Sequence, residues 1–255
     1  EAKKLLSGGD ASLADVPASL RDVALRDSKV AESTALGAGR TLITRRTGER
    51  YVAQEMTPQQ SLAEKVAADL QAAMGIPTPE AQLGAVANGK RTLYTKTPDA
   101  AVRDGVVAPD AKLADASSSS IASIALADFL LGRTGRQPGT VALVKSNNRT
   151  VAVPSGGTGV LLADAQGGPS RAKLVAAISR KPEEALTDPA GGKWAQNLVS
   201  DPKSEIHKLR VAAYENMLKT ISEFDWSAYS TRLSADGALS TADKQNLEIM
   251  RALVD

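Results

Sequence analysis

The sequence predicts an α+β chain of two lobes, a small antiparallel β lobe carrying one helix and then a mainly helical lobe. Two observations carry this reading. Residues 30–98 hold alternating apolar and polar stretches with hairpin turn dipeptides, set on either side of one amphipathic helix. Thr97 to Ser120 then reads as a loop, with Pro98, Pro109 and a serine run, and helical periodicity dominates the rest of the chain. The division is a helical extension at 1–29, a β lobe at 30–98 and a helical lobe at 99–255.

Each element has its own local reason. Residues 1–29 predict one or two short helices with a flexible break at Ser7 to Ser12, SGGDAS. STALGAGRTLITRRTGERYVAQEM, Ser33 to Met56, alternates around Thr47-Gly48 as a β-hairpin does. PQQSLAEKVAADLQAAMGIPTPEA aligns Leu62, Val66, Leu70 and Met74 on one stripe and is stopped by Gly75 and Pro77, which makes it a helix. AQLGAVANGKRTLYTK is a second hairpin about Asn88-Gly89, the favoured two-residue turn. IASIALADFLLG is a helix and VALVKSNNRTVAVP a strand pair, followed by the glycine-rich SGGTGVLLADAQGGPS. In the last third, SDPKSEIHKLRVAAYENMLKTISEF predicts an amphipathic helix with Asp201 as N-cap and Pro202 in the first turn. Its stripe of Ile206, Leu209, Ala213, Met217 and Ile221 is expected to pack into the core.

Composition narrows the function. A chain of 255 residues with 42% hydrophobic and 24% charged residues can bury a substantial core. Aromatics at 3% leave that core to Leu, Val, Ile and Ala and argue against base stacking. The net charge of +2, from 31 basic and 29 acidic residues, provides no field for nucleic acid or an anionic membrane. The absence of cysteine excludes disulfides, thiolate metal sites and thiol nucleophiles. No 18-residue apolar run exists, and the N-terminal apolar stretch is too short for a secretion signal, so the compartment stays open. The start at Glu1 suggests a processed product, an excised domain or part of something larger. His207, the single histidine, reads as a surface or boundary residue on a helix flank.

Three motif fragments lose to simpler readings. Gly84, Gly89 and Lys90 spell most of a phosphate-binding loop, but Arg91 stands where Ser or Thr would hold magnesium, and a hairpin explains the glycines. RLSADGALSTAD offers Ser234, Asp236, Gly237, Leu239 and Asp243 at calcium-loop positions. Arg232 puts a cation at the first ligand position, and a Ser240-capped helix with Asp243 three residues on is the better reading. Asn148-Arg149-Thr150 is a glycosylation sequon that matters only in a secreted eukaryotic chain.

DFLLGRTGRQPGTVALV, Asp128 to Val144, has the frame of a catalytic loop: an apolar run, a turn on Gly132, Gly135, Pro138 and Gly139, then a strand. Arg133 and Arg136 are the only charged groups between Gly132 and Val141. A hairpin with Gly-x-Gly, a third strand, a helix bearing glutamate, a second hairpin, a linker, then helix, loop, strand pair and glycine turn is the order of parts in a kinase. The chain resembles the atypical branch, phosphoinositide 3- and 4-kinases and HipA-like kinases, and the resemblance implies a two-lobed protein-kinase-like fold. Those families carry roughly G-N-x-D-R-H-x-G-N in the catalytic loop and I-D-x-G in the metal loop, where this chain has GRTGRQPGT and VPSGGTG.

By that resemblance the phosphate-gripping strand lysine falls at Gln54, and the helix glutamate that would pair with it is kept as Glu64. The catalytic aspartate falls at Gly135, its following arginine is kept as Arg136, and the histidine becomes Gln137. The metal-binding asparagine becomes Thr140 and the metal-loop aspartate Gly156. Phosphoryl transfer rests on positioning and on charge neutralisation by magnesium and lysine, and magnesium needs carboxylates that Gly135 and Gly156 lack. The expected function is therefore a catalytically inactive pseudokinase domain, a binding or structural module with no catalytic residue, cofactor or metal. Its expected partner is a protein or larger assembly rather than nucleic acid or membrane. One alternative is a structural component of a large assembly such as a virion. The other is an active kinase with relocated groups, Asp128, Asp164 or Glu55. Glu64, facing an uncharged Gln54, is expected to turn out to solvent.

Overall fold

The computed structural model describes residues 12–27, 30–133, 136, 138–155, 201–236 and 239–254. Gly135, Gln137, Gly156, Asp164, Gly237, most of the SGGDAS break and nearly all of the glycine-rich stretch lie outside them.

Eight strands and six helices are described: α1 Ala18–Asp27, β1 Val30–Gly37, β2 Arg40–Arg45, β3 Arg50–Met56, α2 Pro58–Ala73, β4 Ala81–Ala87, β5 Lys90–Lys96, β6 Val106–Val107, α3 Ser118–Leu130, β7 Val141–Ser146, β8 Arg149–Pro154, α4 Glu205–Ser222, α5 Trp226–Ala235 and α6 Thr241–Val254. An antiparallel sheet of order β1-β2-β3-β5-β4 forms the first lobe, and β6-β7-β8 form a small sheet in the second. The architecture is α+β with a β-rich lobe and a helical one.

Turn chemistry sets the register. Asn88 (φ 52°) and Gly89 (φ 72°) both take the left-handed conformation that closes a two-residue hairpin, with Ala87 opposite Lys90. The β1-β2 turn uses Ala38 and Gly39 in the same way, with Gly37 opposite Arg40. Gly84 belongs to this packing rather than to a phosphate loop. A Cβ there would meet the Thr92 carbonyl oxygen at 3.0 Å and the Tyr94 ring at 3.1 Å.

Helix α2 begins at a Thr57 cap whose hydroxyl accepts from Gln60 N, with Pro58 in the first turn. It ends in a Schellman motif: Gly75 (φ 79°) donates to the Ala72 carbonyl and Ile76 to that of Gln71. Leu62, Val66, Leu70 and Met74 are all buried, so the stripe read from spacing is the one that packs. The main core joins α2, α3 and β4 to Ile206, Met217 and Ile221 of α4 and to Trp226 and Tyr229 of α5. A second cluster of Leu13, Leu25, Tyr51 and Tyr94 covers the opposite face of the sheet.

Some local boundaries differ from expectation. The α4 cap is Ser204, whose hydroxyl accepts from His207 N, whereas Asp201 accepts from Lys203 N in the preceding turn. Either residue is a good cap; the helix starts after Ser204, and Ile206 in its first turn is buried. The serine run does not extend the loop to Ser120, because α3 starts at Ser118. His207 is half-buried on α4.

Candidate functional site

The groups a cleft could use are set by the sheet. Cross-strand pairing runs Gly37–Arg40–Gln54–Leu93–Leu83 through β1, β2, β3, β5 and β4, so these residues form one row. Alternation puts Val52, Gln54 and Met56 on the cleft face and Tyr51, Ala53 and Glu55 on the outer face. The resulting cavity, about 170 Å³, lies between this row, Glu64 and Gln71 of α2, and Arg133, Pro154 and Ser155 of the second lobe.

Gln54 and Glu64 both line this cavity, but Glu64 does not turn out to solvent. Its side chain is only 13% exposed and takes a two-pronged contact from Arg133, Nη2 to Oε2 at 2.9 Å and Nη1 to Oε1 at 3.4 Å. The end of α3 places that arginine. Gly132 (φ 59°) terminates α3 in a Schellman motif in which Arg133 N donates to the Asp128 carbonyl at 2.7 Å. The chain is thereby turned so that Arg133 faces α2. The expectation failed because it weighed only the uncharged Gln54 opposite Glu64, and the cation comes instead from the loop after α3.

Arg136 lies behind this pair and is fully buried. Its Nε donates to Asp128 Oδ2, its Nη2 to Asp128 Oδ1 at 2.8 Å, and its Nη1 to the Thr140 carbonyl at 3.0 Å. Arg133 Nε also stands 3.4 Å from Asp128 Oδ1. The four charges form a ladder, Glu64–Arg133–Asp128–Arg136, that sums to zero. Burial disfavours the charge on Arg133, but the Glu64 and Asp128 carboxylates outweigh it and hold its pKa above the ordinary guanidinium value. Burial, with Arg133 adding to it, lowers the pKa of Arg136 despite Asp128. Both remain cations at neutral pH.

Of the relocated-acid candidates, Asp164 lies outside the described residues, and Asp128 and Glu55 are not brought together. Asp128 has no exposed side chain and is occupied by arginines. Glu55 is 65% exposed on the opposite face of the sheet, 3.8 Å from Lys90. Thr140 lies in the short turn before β7, where its carbonyl serves Arg136. Among the described residues no three His, Asp or Glu side chains gather as a metal site, and no helix is long and apolar enough to cross a membrane.

Sequence reasoning missed the links that join the lobes. Arg91, the residue that spoils the phosphate loop, pairs with Asp243 of α6 at 2.7 Å, and neither side chain is more than 1% exposed. Ser240 and Asp243 form the expected capping interaction, Asp243 N donating to Ser240 Oγ at 3.2 Å. Residues 232–235 are helical, and the Asp236 carboxylate is held by Arg21 at 2.6 Å, so these residues do not take up a calcium loop. Tyr229 donates to Asp69 of α2 at 2.7 Å.

The chain is similar to the crystal structure of a Helicobacter pylori proinflammatory kinase, CtkA. The TM-score is 0.50 and the identity 14%, over 88% of this chain and 90% of that one. The fold is kinase-like. At that identity the likeness speaks for the fold alone. No family model matches the chain, and no curated protein matches it.

Proposed function

We propose that this kinase-like domain does not transfer phosphate and serves as a binding or structural module, a pseudokinase of the atypical phosphoinositide-kinase and HipA-like type. The observation that carries the reading is the closed charge ladder. Glu64, which would organise a strand lysine, is bound by Arg133, and Gln54 offers only an amide in the lysine's place. Asp128, the nearest buried carboxylate, is held by Arg136 and Arg133 rather than free for a metal. Freeing either acid would take a carboxylate from a buried arginine, which is unfavourable.

The lobe contacts support the same reading. Buried Arg91–Asp243, together with Tyr229–Asp69 and Arg21–Asp236, ties the β lobe and its flanking helix to the C-terminal helices. Such ties oppose the lobe closure by which kinases assemble a reactive centre. A protein partner fits the exposed apolar groups Leu36, Val106 and Val107, which line one groove beside β6. The test is a phosphotransfer assay with magnesium or manganese and a panel of protein and lipid substrates. No turnover is expected, and robust turnover abolished by Glu64→Ala would refute the proposal.

A further inference from the structure

We infer that Arg40 is the phosphate-gripping residue of the cleft, supplied from β2 in place of the uncharged Gln54 of β3, and that the cleft takes a small phosphate-bearing ligand without a divalent metal. The inference deepens the reading of a non-catalytic domain and rests on it.

Register is the first ground. Arg40 is directly opposite Gln54 in the β2-β3 pairing, so both side chains leave the same face of the sheet, and both line the cavity. The loss of a cation at Gln54 is thus offset one strand away, in the lining of the same cavity.

Unmet hydrogen-bond capacity is the second. Arg40 Nε is inaccessible to solvent and has no acceptor, and among the described residues Arg40 forms no ion pair. Gln71, 2% exposed on the α2 wall of the same cavity, has an amide Nε2 in the same condition. Buried donors are nearly always satisfied in folded proteins, and two orphaned in the lining of one cavity point to an acceptor-bearing occupant. A guanidinium presents a planar fork that matches phosphate oxygens.

Charge decides the metal question. Lys96 is matched by Glu80 at 2.9 Å and Arg133 by Glu64, which leaves Arg40 as the unmatched charge on the described wall. Glu64 is the only carboxylate on that described wall and is occupied, so none remains there to bring in magnesium. Leu36, Val52 and Leu93 offer apolar contact for a flat organic group. The cavity is smaller than the roughly 300–1,000 Å³ of drug-sized pockets, which favours a compact ligand.

Calorimetric titration of the full chain with ADP and with pyrophosphate, both in EDTA, tests this. Saturable binding of at least one probe is expected, and ADP binding more tightly than pyrophosphate would show that the organic group adds to the phosphate grip. Arg40→Gln is expected to weaken binding about tenfold or more, the scale of one charge-assisted hydrogen bond. Arg40→Lys should stay within a few-fold of the parent, and Arg40→Gln with Gln54→Lys should recover most of the loss by returning a cation to β3. Circular dichroism checks that each variant is folded, and the lysine variant keeps the test open if the glutamine one is not. No saturable binding in EDTA, binding that requires magnesium, or affinity unmoved by Arg40→Gln would overturn the inference. Turnover with magnesium in the same samples would instead refute the non-catalytic reading and leave the role of Arg40 standing.

Discussion

Replacing Asp128 by asparagine removes one charge from the centre of the ladder and almost no volume. Asp128 accepts from Arg136 Nε and Nη2 and stands 3.4 Å from Arg133 Nε, with its side chain fully buried. The four-charge ladder goes from a balance of zero to a net of +1. An asparagine oxygen can replace only part of the acceptor capacity, and its NH₂ group faces a donor. Breaking a buried pair by removing one partner costs about 3–5 kcal/mol. In a chain of this size that corresponds to a fall in Tm of roughly 6–20 °C. Differential scanning calorimetry at pH 7 is the assay, with Glu64→Gln as comparison. Glu64 is 13% exposed and Arg133 would keep Asp128, so its loss should be smaller, about 1–3 kcal/mol. A second comparison replaces Asp128 by leucine and Arg136 by methionine together, which leaves neither charge unpaired and should recover part of the loss. If Asp128→Asn stays within about 1 kcal/mol of the parent, the ladder is not what holds the base of the cleft, and the reasoning fails.

The remaining predictions concern other groups. Asp243→Asn removes the carboxylate from buried Arg91 and should cost about 3–5 kcal/mol, with loosened protection of α6 in hydrogen exchange. Burial first, and then the Asp69 carboxylate, raise the Tyr229 pKa well above its ordinary value. A raised pKa in the folded state means that this stabilisation is complete below about pH 10, where the unfolded tyrosine titrates, and is lost as pH rises through the folded value. Denaturant titrations at pH 8, 10 and 11 should therefore show an alkaline decline that is shallower in Tyr229→Phe, which itself loses about 1–2 kcal/mol at neutral pH. Gln54→Lys alone places a cation opposite Arg40 and beside the already matched Glu64–Arg133 pair. It should lower stability by about 0.2–1 kcal/mol and restore no turnover, and Arg40→Gln should relieve the loss.

Features governed by neighbouring residues were legible in the sequence. Asn88-Gly89 declared its turn because only a few residue types tolerate positive φ, and the α2 stripe followed from helical spacing. The Ser240–Asp243 cap could be read for the same reason. The sense of Glu64 was not legible. Its partner Arg133 lies 69 residues away, and which of two loop arginines turns inward depends on the left-handed geometry of Gly132. Arg91 and Asp243 are 152 residues apart and each resembled a flawed motif ligand. Taken alone, a charge that spoils a motif looks like a loss; across the fold it is half of a buried pair. The cation on β2 was equally hidden, because the strand register brings Arg40 opposite Gln54 only once β2 and β3 pair.

A crystal structure of the chain soaked with ATP and magnesium bears most directly on a kinase-like fold whose charged centre has been turned to structural use. Glu64 should remain on Arg133 and Asp128 on Arg136, with no magnesium between the lobes and any bound phosphate resting on Arg40. Magnesium coordinated by Glu64 or Asp128 with the arginines displaced from them, or coordinated by Asp164, would contradict it.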